Sequence, residues 1–219
     1  MHITRFLIFN FIFFTFLYSD NPLVMLSPAG DAKNPGRTLD KGYERGVTLQ
    51  IAEKLKEKII DIYGARCLLT RSPGEVVSHL QNASFANRIF SNRVGFYLSI
   101  HVYHEEDIKP KLAIYRLVYN SMVDFASHNF SKFSFLTLYE AHFINIYKTK
   151  SFAEKMAEIL TNEEHGQKFD FYGINGIPFK PLLGIIVPAL AIEIGIKEEE
   201  QWRGLINPIV ESMKFLLSF

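Results

Sequence analysis

His101 closes the run Ser99-Ile100-His101, and Glu193 sits inside Ala191-Ile192-Glu193-Ile194-Gly195. Each is an ionisable side chain in an otherwise apolar strand-like segment, Phe96–Val102 and Val187–Ile196. A buried charge is costly unless it is paired or bound to a metal. Two such residues at the C-terminal ends of two core strands point to a metal ligand and a carboxylate facing one cleft, because open α/β sheets build their sites at that edge. A core histidine with its hydrogen bonds satisfied, beside a structural ion pair, explains the same residues equally well.

The elements that must position these groups alternate strand and helix. Leu23–Leu26 reads as a short apolar strand, and Ser27–Gly42 as a loop rich in Gly, Pro, Asn and Asp. Val47–Tyr63 has helical spacing, with Ile51, Leu55, Ile59 and Ile62 as its apolar stripe. Ala65–Thr70 is the next strand, and Val77–Phe90 the next helix, with Leu80, Ala83, Ala86, Ile89 and Phe90 inward. Gly95–Val102 is a buried strand, and Lys111–Tyr119 alternates as a half-exposed one does. Ser121–Tyr147 is aromatic, polar and without period, and reads as an insertion over one face. Ser151–Leu160 is a helix, Phe179–Leu183 is extended, Pro188–Ile194 is a core strand, and Glu198–Leu217 is a terminal helix. This order predicts a single α/β domain with a mainly parallel central sheet and helices on both faces.

Composition removes several classes. A net charge of +1 gives no electrostatic case for nucleic acid, and 48% hydrophobic content argues against disorder. The lone Cys67, in Cys67-Leu68-Leu69, excludes an internal disulfide and reads as core. Residues 1–19 stand apart. Arg5 precedes the apolar run Phe6–Tyr18, which has signal-peptide length. Leu17 and Ser19 at the −3 and −1 positions would start the mature chain near Asp20. A permanent anchor needs about 20 apolar residues, so export with cleavage is the reading and an uncleaved anchor the alternative. Residues 20–219 then form the folded domain, which is exported. Membrane contact is confined to the N-terminal segment, and nothing speaks to oligomeric state.

Six short landmarks occur in order. They are Leu26-Ser27-Pro28-Ala29-Gly30-Asp31, Glu44 before Gly46-Val47-Thr48-Leu49-Gln50-Ile51-Ala52, Thr70-Arg71, Ala86-Asn87, Ser99-Ile100-His101, and Val187–Gly195. In this order the chain resembles the zinc-dependent N-acetylmuramoyl-L-alanine amidases of bacterial cell-wall metabolism. The resemblance implies one Zn2+ ion held by Glu44 and His101, with Glu193 as the general base. It also implies peptidoglycan as the partner and the periplasm or cell envelope as the location. The family's first ligand, a His, does not carry over. Ser27-Pro28-Ala29-Gly30 stands where the family has Asp-Pro-Gly-His.

The implied reaction cleaves the amide between N-acetylmuramic acid and L-alanine. A zinc ion would activate the water and polarise the carbonyl, and Glu193 would move the proton. Such a site normally has three protein ligands. Asp31 is the first candidate for the third, His142 and His104 follow, and no third ligand is the remaining option. Plainer readings stand beside these. Asp31 and Asn34 form turns in such loops. Glu44 is favoured at a helix start by the dipole alone. His142 fits a core or solvated position. Arg71 and Lys180 are either exposed charges or contacts to the stem peptide. Two functional expectations follow: an exported peptidoglycan amidase, or a catalytically inactive amidase-fold domain that binds cell wall or a protein partner. A metal hydrolase acting on another amide is a third. The third ligand separates catalysis from binding.

Overall fold

The structure, a computed structural model, describes residues 23–90, 95–118 and 138–217. Alternating strands and helices build one six-stranded sheet in the order β4-β1-β5-β8-β6-β7. Its strands are β1 (Leu23–Pro28), β4 (Arg66–Leu69), β5 (Gly95–His104), β6 (Lys111–Leu117), β7 (Asp170–Ile177) and β8 (Ala189–Ile196). All neighbours pair in parallel except β6 with β8, which is antiparallel. The two-residue strands β2 (Thr38–Leu39) and β3 (Gly42–Tyr43) make a separate hairpin. The chain is thus a single α/β domain with a mixed, mostly parallel sheet.

Period-2 alternation decides what each face carries. Val24, Leu26, Phe96, Leu98, Ile100, Leu190, Ile192 and Ile194 point to one face. There they meet α1 (Glu44–Tyr63), α3 (Ile146–Leu160) and α5 (Ile206–Ser212). Leu23, Met25, Tyr97, Ala189 and Ala191 point to the other face, against Ala83 and Ala86 of α2 (His79–Phe90). On the α1 side, Val47, Ile51, Leu55 and Ile59 are buried. Each contributes about 1.5–3 kcal/mol. On the α2 side the apolar side chains run out toward the strand C-termini. Met25 is followed by Ser27, Tyr97 by Ser99 and His101, and Ala191 by Glu193. Strand parity therefore assigns these polar groups to one face, and a cleft forms there.

Several sequence expectations shift. Ile62 is 56% exposed, because the 20-residue α1 spans about 30 Å and overruns the sheet. The second helix starts at His79 rather than Val77. Ser78 caps it: its Oγ accepts from the Gln81 amide (3.3 Å), and Gln81 Oε1 accepts from the Ser78 amide (2.8 Å). Leu80 in its first turn is exposed. Strand β7 carries Gly173 and Gly176 with an irregular register against β6, so no alternation announces it. Phe179–Leu183 is not extended but contains a 3-10 turn at Lys180–Leu182. The terminal helix is broken into a 3-10 segment (Glu199–Leu205), α5 and the short α6 (Lys214–Leu217). A further short helix, α4, spans Glu163–Gly166.

Of the expected insertion, residues 121–137 lie outside the described residues, as do residues 1–22 with the expected signal segment. The insertion's last residues form a 3-10 turn, Ala141–Asn145, leading into α3, which begins before the expected Ser151. Among the described residues no helix is long and apolar enough to cross a membrane.

Candidate functional site

The cleft on the α2 side has a volume of about 720 Å³ and lies at the C-terminal ends of β1 and β5. Glu44 and His101 line it, together with the loop after β1, the start of α2 and the turn at Lys180. Glu193 is the direct register partner of His101 across β5 and β8. The fold therefore brings Glu44, His101 and Glu193 to one place.

These groups are engaged with protein partners. Glu44, buried at the first position of α1, accepts the Val102 amide on Oε1 (3.1 Å) and the Arg37 amide on Oε2 (3.1 Å). Its Oε1 also lies 3.3 Å from His101 Nδ1. His101 Nε2 lies 2.9 Å from Ser99 Oγ, so both ring nitrogens have partners. The network assigns Nδ1–H toward Glu44 and a Ser99 hydroxyl donating to Nε2. Burial alone would push the Glu44 carboxyl up. The His101 ring and the Arg37 and Val102 amides outweigh it and hold the carboxyl below its ordinary value.

Glu193 is also paired. Arg37 Nη1 lies 2.6 Å from its Oε1, and the guanidinium stands 5.8 Å from the Tyr103 ring centre. Burial and the neighbouring Glu193 push the Tyr115 hydroxyl up to about 12. Arg37 is half exposed while Glu193 is largely covered. Removing the guanidinium therefore leaves a mostly desolvated carboxylate without its cation. Arg37→Met is expected to lower stability by about 1–2 kcal/mol, between exposed and buried pairs. Urea unfolding at neutral pH checks this. Glu193→Gln in the same background should recover most of the loss.

The loop after β1 is fixed from three sides. Arg71, buried, donates from Nε to the Pro28 carbonyl (3.2 Å) and from Nη2 to those of Ala29 (3.1 Å) and Arg45 (2.8 Å). Thr48 Oγ1 donates to Ala29 O at 2.7 Å. Asp31 holds the turn itself, its Oδ1 accepting the amides of Asn34 (2.6 Å) and Lys33 (2.8 Å). The Asn34 amide leads the causes that keep the Asp31 carboxyl below its ordinary value, against the opposing effect of burial.

Gly30 stands where the resemblance would place the first His ligand. Its φ is +71°, and a Cβ there would lie 2.7 Å from Arg45 Cβ and 2.9 Å from the Pro35 carbonyl. Gly36, at φ +81°, packs against Glu44, whose Oε2 would lie 2.6 Å from an added Cβ. The loop thus closes tightly over the start of α1 and delivers Arg37 to Glu193.

The zinc expected from the resemblance is corrected by this arrangement. Among the described residues no three His, Cys, Asp or Glu side chains group so as to hold a metal ion. Glu44 and His101 face each other, Asp31 is spent on its own turn, and no side chain fits at Gly30. His142 lines a different, small cavity with Leu117, Leu182 and Val187. His104 is exposed at the end of β5. Neither reaches Glu44 and His101.

Several residues of the site carried no signal in the sequence. Arg37 lies in an aperiodic loop, and only the register of His101 with Glu193 shows what it meets. His79 and Asn82 line the cleft because α2 begins over it. Only the three-residue spacing on one helix could have placed them together. Lys180 and Arg71 both line the cleft, and Arg71 is also a buried support for the loop.

A model of the family described as N-acetylmuramoyl-L-alanine amidase matches residues 24–208. No curated protein matches the chain. Among solved structures, the catalytic domain of the amidase CwlV from Bacillus (Paenibacillus) polymyxa var. colistinus superposes with a TM-score of 0.62 at 17% identity. The match covers 90% of this chain and 98% of that one. An N-acetylmuramoyl-L-alanine amidase from Clostridium difficile 630 gives 0.59 at 18% identity, over 91% and 98%. The apo form of the amidase Ami1 from Mycobacterium abscessus gives 0.62 at 14%, over 90% and 99%.

Proposed function

We propose that this chain, which belongs to the N-acetylmuramoyl-L-alanine amidase family, is a non-hydrolysing member that binds peptidoglycan through the cleft of the amidase fold. One observation carries the reading: the groups on which the family's chemistry would rest are occupied by protein partners. Glu44 faces His101, and Glu193 faces Arg37. A general base must have a free lone pair within reach of the water it deprotonates. Glu193 has its Oε1 against a guanidinium and also accepts from the Tyr115 hydroxyl. A metal ligand must offer its nitrogen, and both nitrogens of His101 are engaged.

The cleft itself remains, at about 720 Å³, with polar groups set among apolar walls. That size suits a short peptide or a muramyl peptide. Retention of the cleft beside paired site groups favours binding over catalysis. Glu44, His101 and Glu193 are then positioning residues. The first two clamp the loop against β5, and Glu193 anchors Arg37 at the rim. The cell envelope is where such a domain would meet its ligand.

Incubation with purified peptidoglycan sacculi tests this. The chain is expected to sediment with sacculi and to release no new amino groups, because cleavage of the lactyl amide would free the α-amino group of L-alanine. Appearance of that amine, lost in Glu193→Gln, would overturn the reading.

A further inference from the structure

Every acidic group lining the cleft is engaged, as are Arg37 and Arg71, while the cation of Lys180 and the His79 ring remain open. Asp31 is occupied by the amides of Lys33 and Asn34, and Glu44 by His101 and the amides of Arg37 and Val102. Lys180 is exposed on the cleft wall and forms no ion pair or side-chain hydrogen bond among the described residues. His79, at the first position of the 12-residue α2, lines the same wall.

The two sit on elements bolted together. Asn87 of α2 donates to the Gly184 carbonyl (2.8 Å), and its Oδ1 accepts the Ile186 amide (2.9 Å). This ties the segment after Lys180 to the helix that carries His79. Partial burial of the ring, then His101 and Lys180, lower the His79 imidazole below its ordinary value, so near neutral pH it is a neutral ring with one N–H to donate.

A second observation points to the ligand's other half. Asn82 is nine-tenths buried and lines the cleft one helical turn beyond His79. Its Nδ2 donates to Ser27 Oγ (3.2 Å), but its Oδ1 is buried with no partner among the described residues. A buried acceptor left unpaired is rare, and an incoming N–H would satisfy it.

We propose that the cleft is a receptor for a peptide carboxylate, gripped by Lys180 and the His79 N–H, with the peptide's own N–H directed to Asn82. This deepens the binding function and rests on it only for the absence of cleavage. A cation beside a neutral donor suits a compact monoanion, and an acceptor in the same cleft asks for a ligand that also donates. A peptide end or an acidic side chain next to an amide supplies both. Inorganic phosphate supplies only the first.

The test uses N-acetylmuramoyl-L-alanyl-D-glutamate and the analogue with both glutamate carboxylates converted to carboxamides, titrated calorimetrically into the full chain. The acid is expected to bind about fivefold more tightly than the carboxamide at low salt, the size of one partly exposed charge contact. Lys180→Gln should erase that preference and His79→Gln reduce it. Both sites are exposed, so unchanged thermal unfolding separates lost contacts from lost fold. Equal binding of acid and carboxamide, or a preference that survives Lys180→Gln, would overturn the proposal. So would displacement of the acid by phosphate at equal concentration, which marks a general anion site. Release of L-alanyl-D-glutamate during the titration would instead refute the non-hydrolysing reading and leave the carboxylate preference standing.

Discussion

Gly30→His, the substitution that restores the family's first ligand by sequence, is expected to destabilise the fold by about 2–5 kcal/mol. It is also expected to recruit no metal. Gly30 has φ +71°, in the left-handed region that side chains with a Cβ rarely adopt. Its surroundings add to that strain. The nearest atoms to an added Cβ are Arg45 Cβ at 2.7 Å, the Pro35 carbonyl at 2.9 Å and Arg45 Cα at 3.0 Å. Two of these are backbone, and they are joined, since the Arg45 amide donates to Pro35 O at 3.0 Å. A His cannot enter without pushing the loop off the first turn of α1. That movement would also withdraw the Arg37 amide from Glu44. Thermal unfolding of the variant, with and without zinc, checks both parts. A variant as stable as the parent, or one stabilised by zinc, would show that the loop opens easily and that the family's metal position is latent.

Glu44→Ala is expected to cost about 3–5 kcal/mol, because one buried carboxylate serves three partners. Its removal orphans the buried Val102 amide and the Arg37 amide, and strips the acidic partner from His101. It also leaves a space where Gly36 packed. Glu44→Gln keeps an acceptor oxygen and should cost distinctly less. The same carboxylate gives a pH dependence of defined sign. Its value is lowered in the folded chain, so it stabilises fully above the ordinary 4.5 of the unfolded chain. That contribution is lost as pH falls from there through the lower folded value. Asp31, lowered first by the Asn34 amide, acts in the same direction. Urea midpoints should therefore fall more steeply below about pH 4.5 in the parent than in Glu44→Gln. Parallel curves would show that Glu44 carries no net stabilising charge.

Much of this arrangement was legible in the residues. The apolar runs around His101 and Glu193 announced two core strands, and the ordered landmarks announced the family and the α/β sheet. Parity along β5 and β8 then places both side chains on one face. In the structure both ring nitrogens of His101 have partners, and Glu193 pairs with Arg37. What the sequence hid is the partner of each. Arg37 lies in a loop with no period, and it reaches Glu193 only because two glycines with positive φ fold that loop over α1. Asp31 looked like a ligand because it is an acid beside the missing His. Its carboxylate turns inward to the amides of its own turn, which is the ordinary use of Asp there. His142 fell in an aromatic stretch without period, so nothing in the sequence could tell the cleft from the small cavity that it lines. Strand β7 escaped because its glycines and irregular pairing erase alternation.

Zinc stoichiometry tests most directly whether paired side chains have taken the place of a metal site. The full chain, dialysed against excess zinc and then against metal-free buffer, is expected to retain no stoichiometric zinc, with Glu44→Gln and His101→Gln giving the same reading. One zinc retained per chain, and lost in both variants, would contradict the account and return the chain to the hydrolytic members of its family.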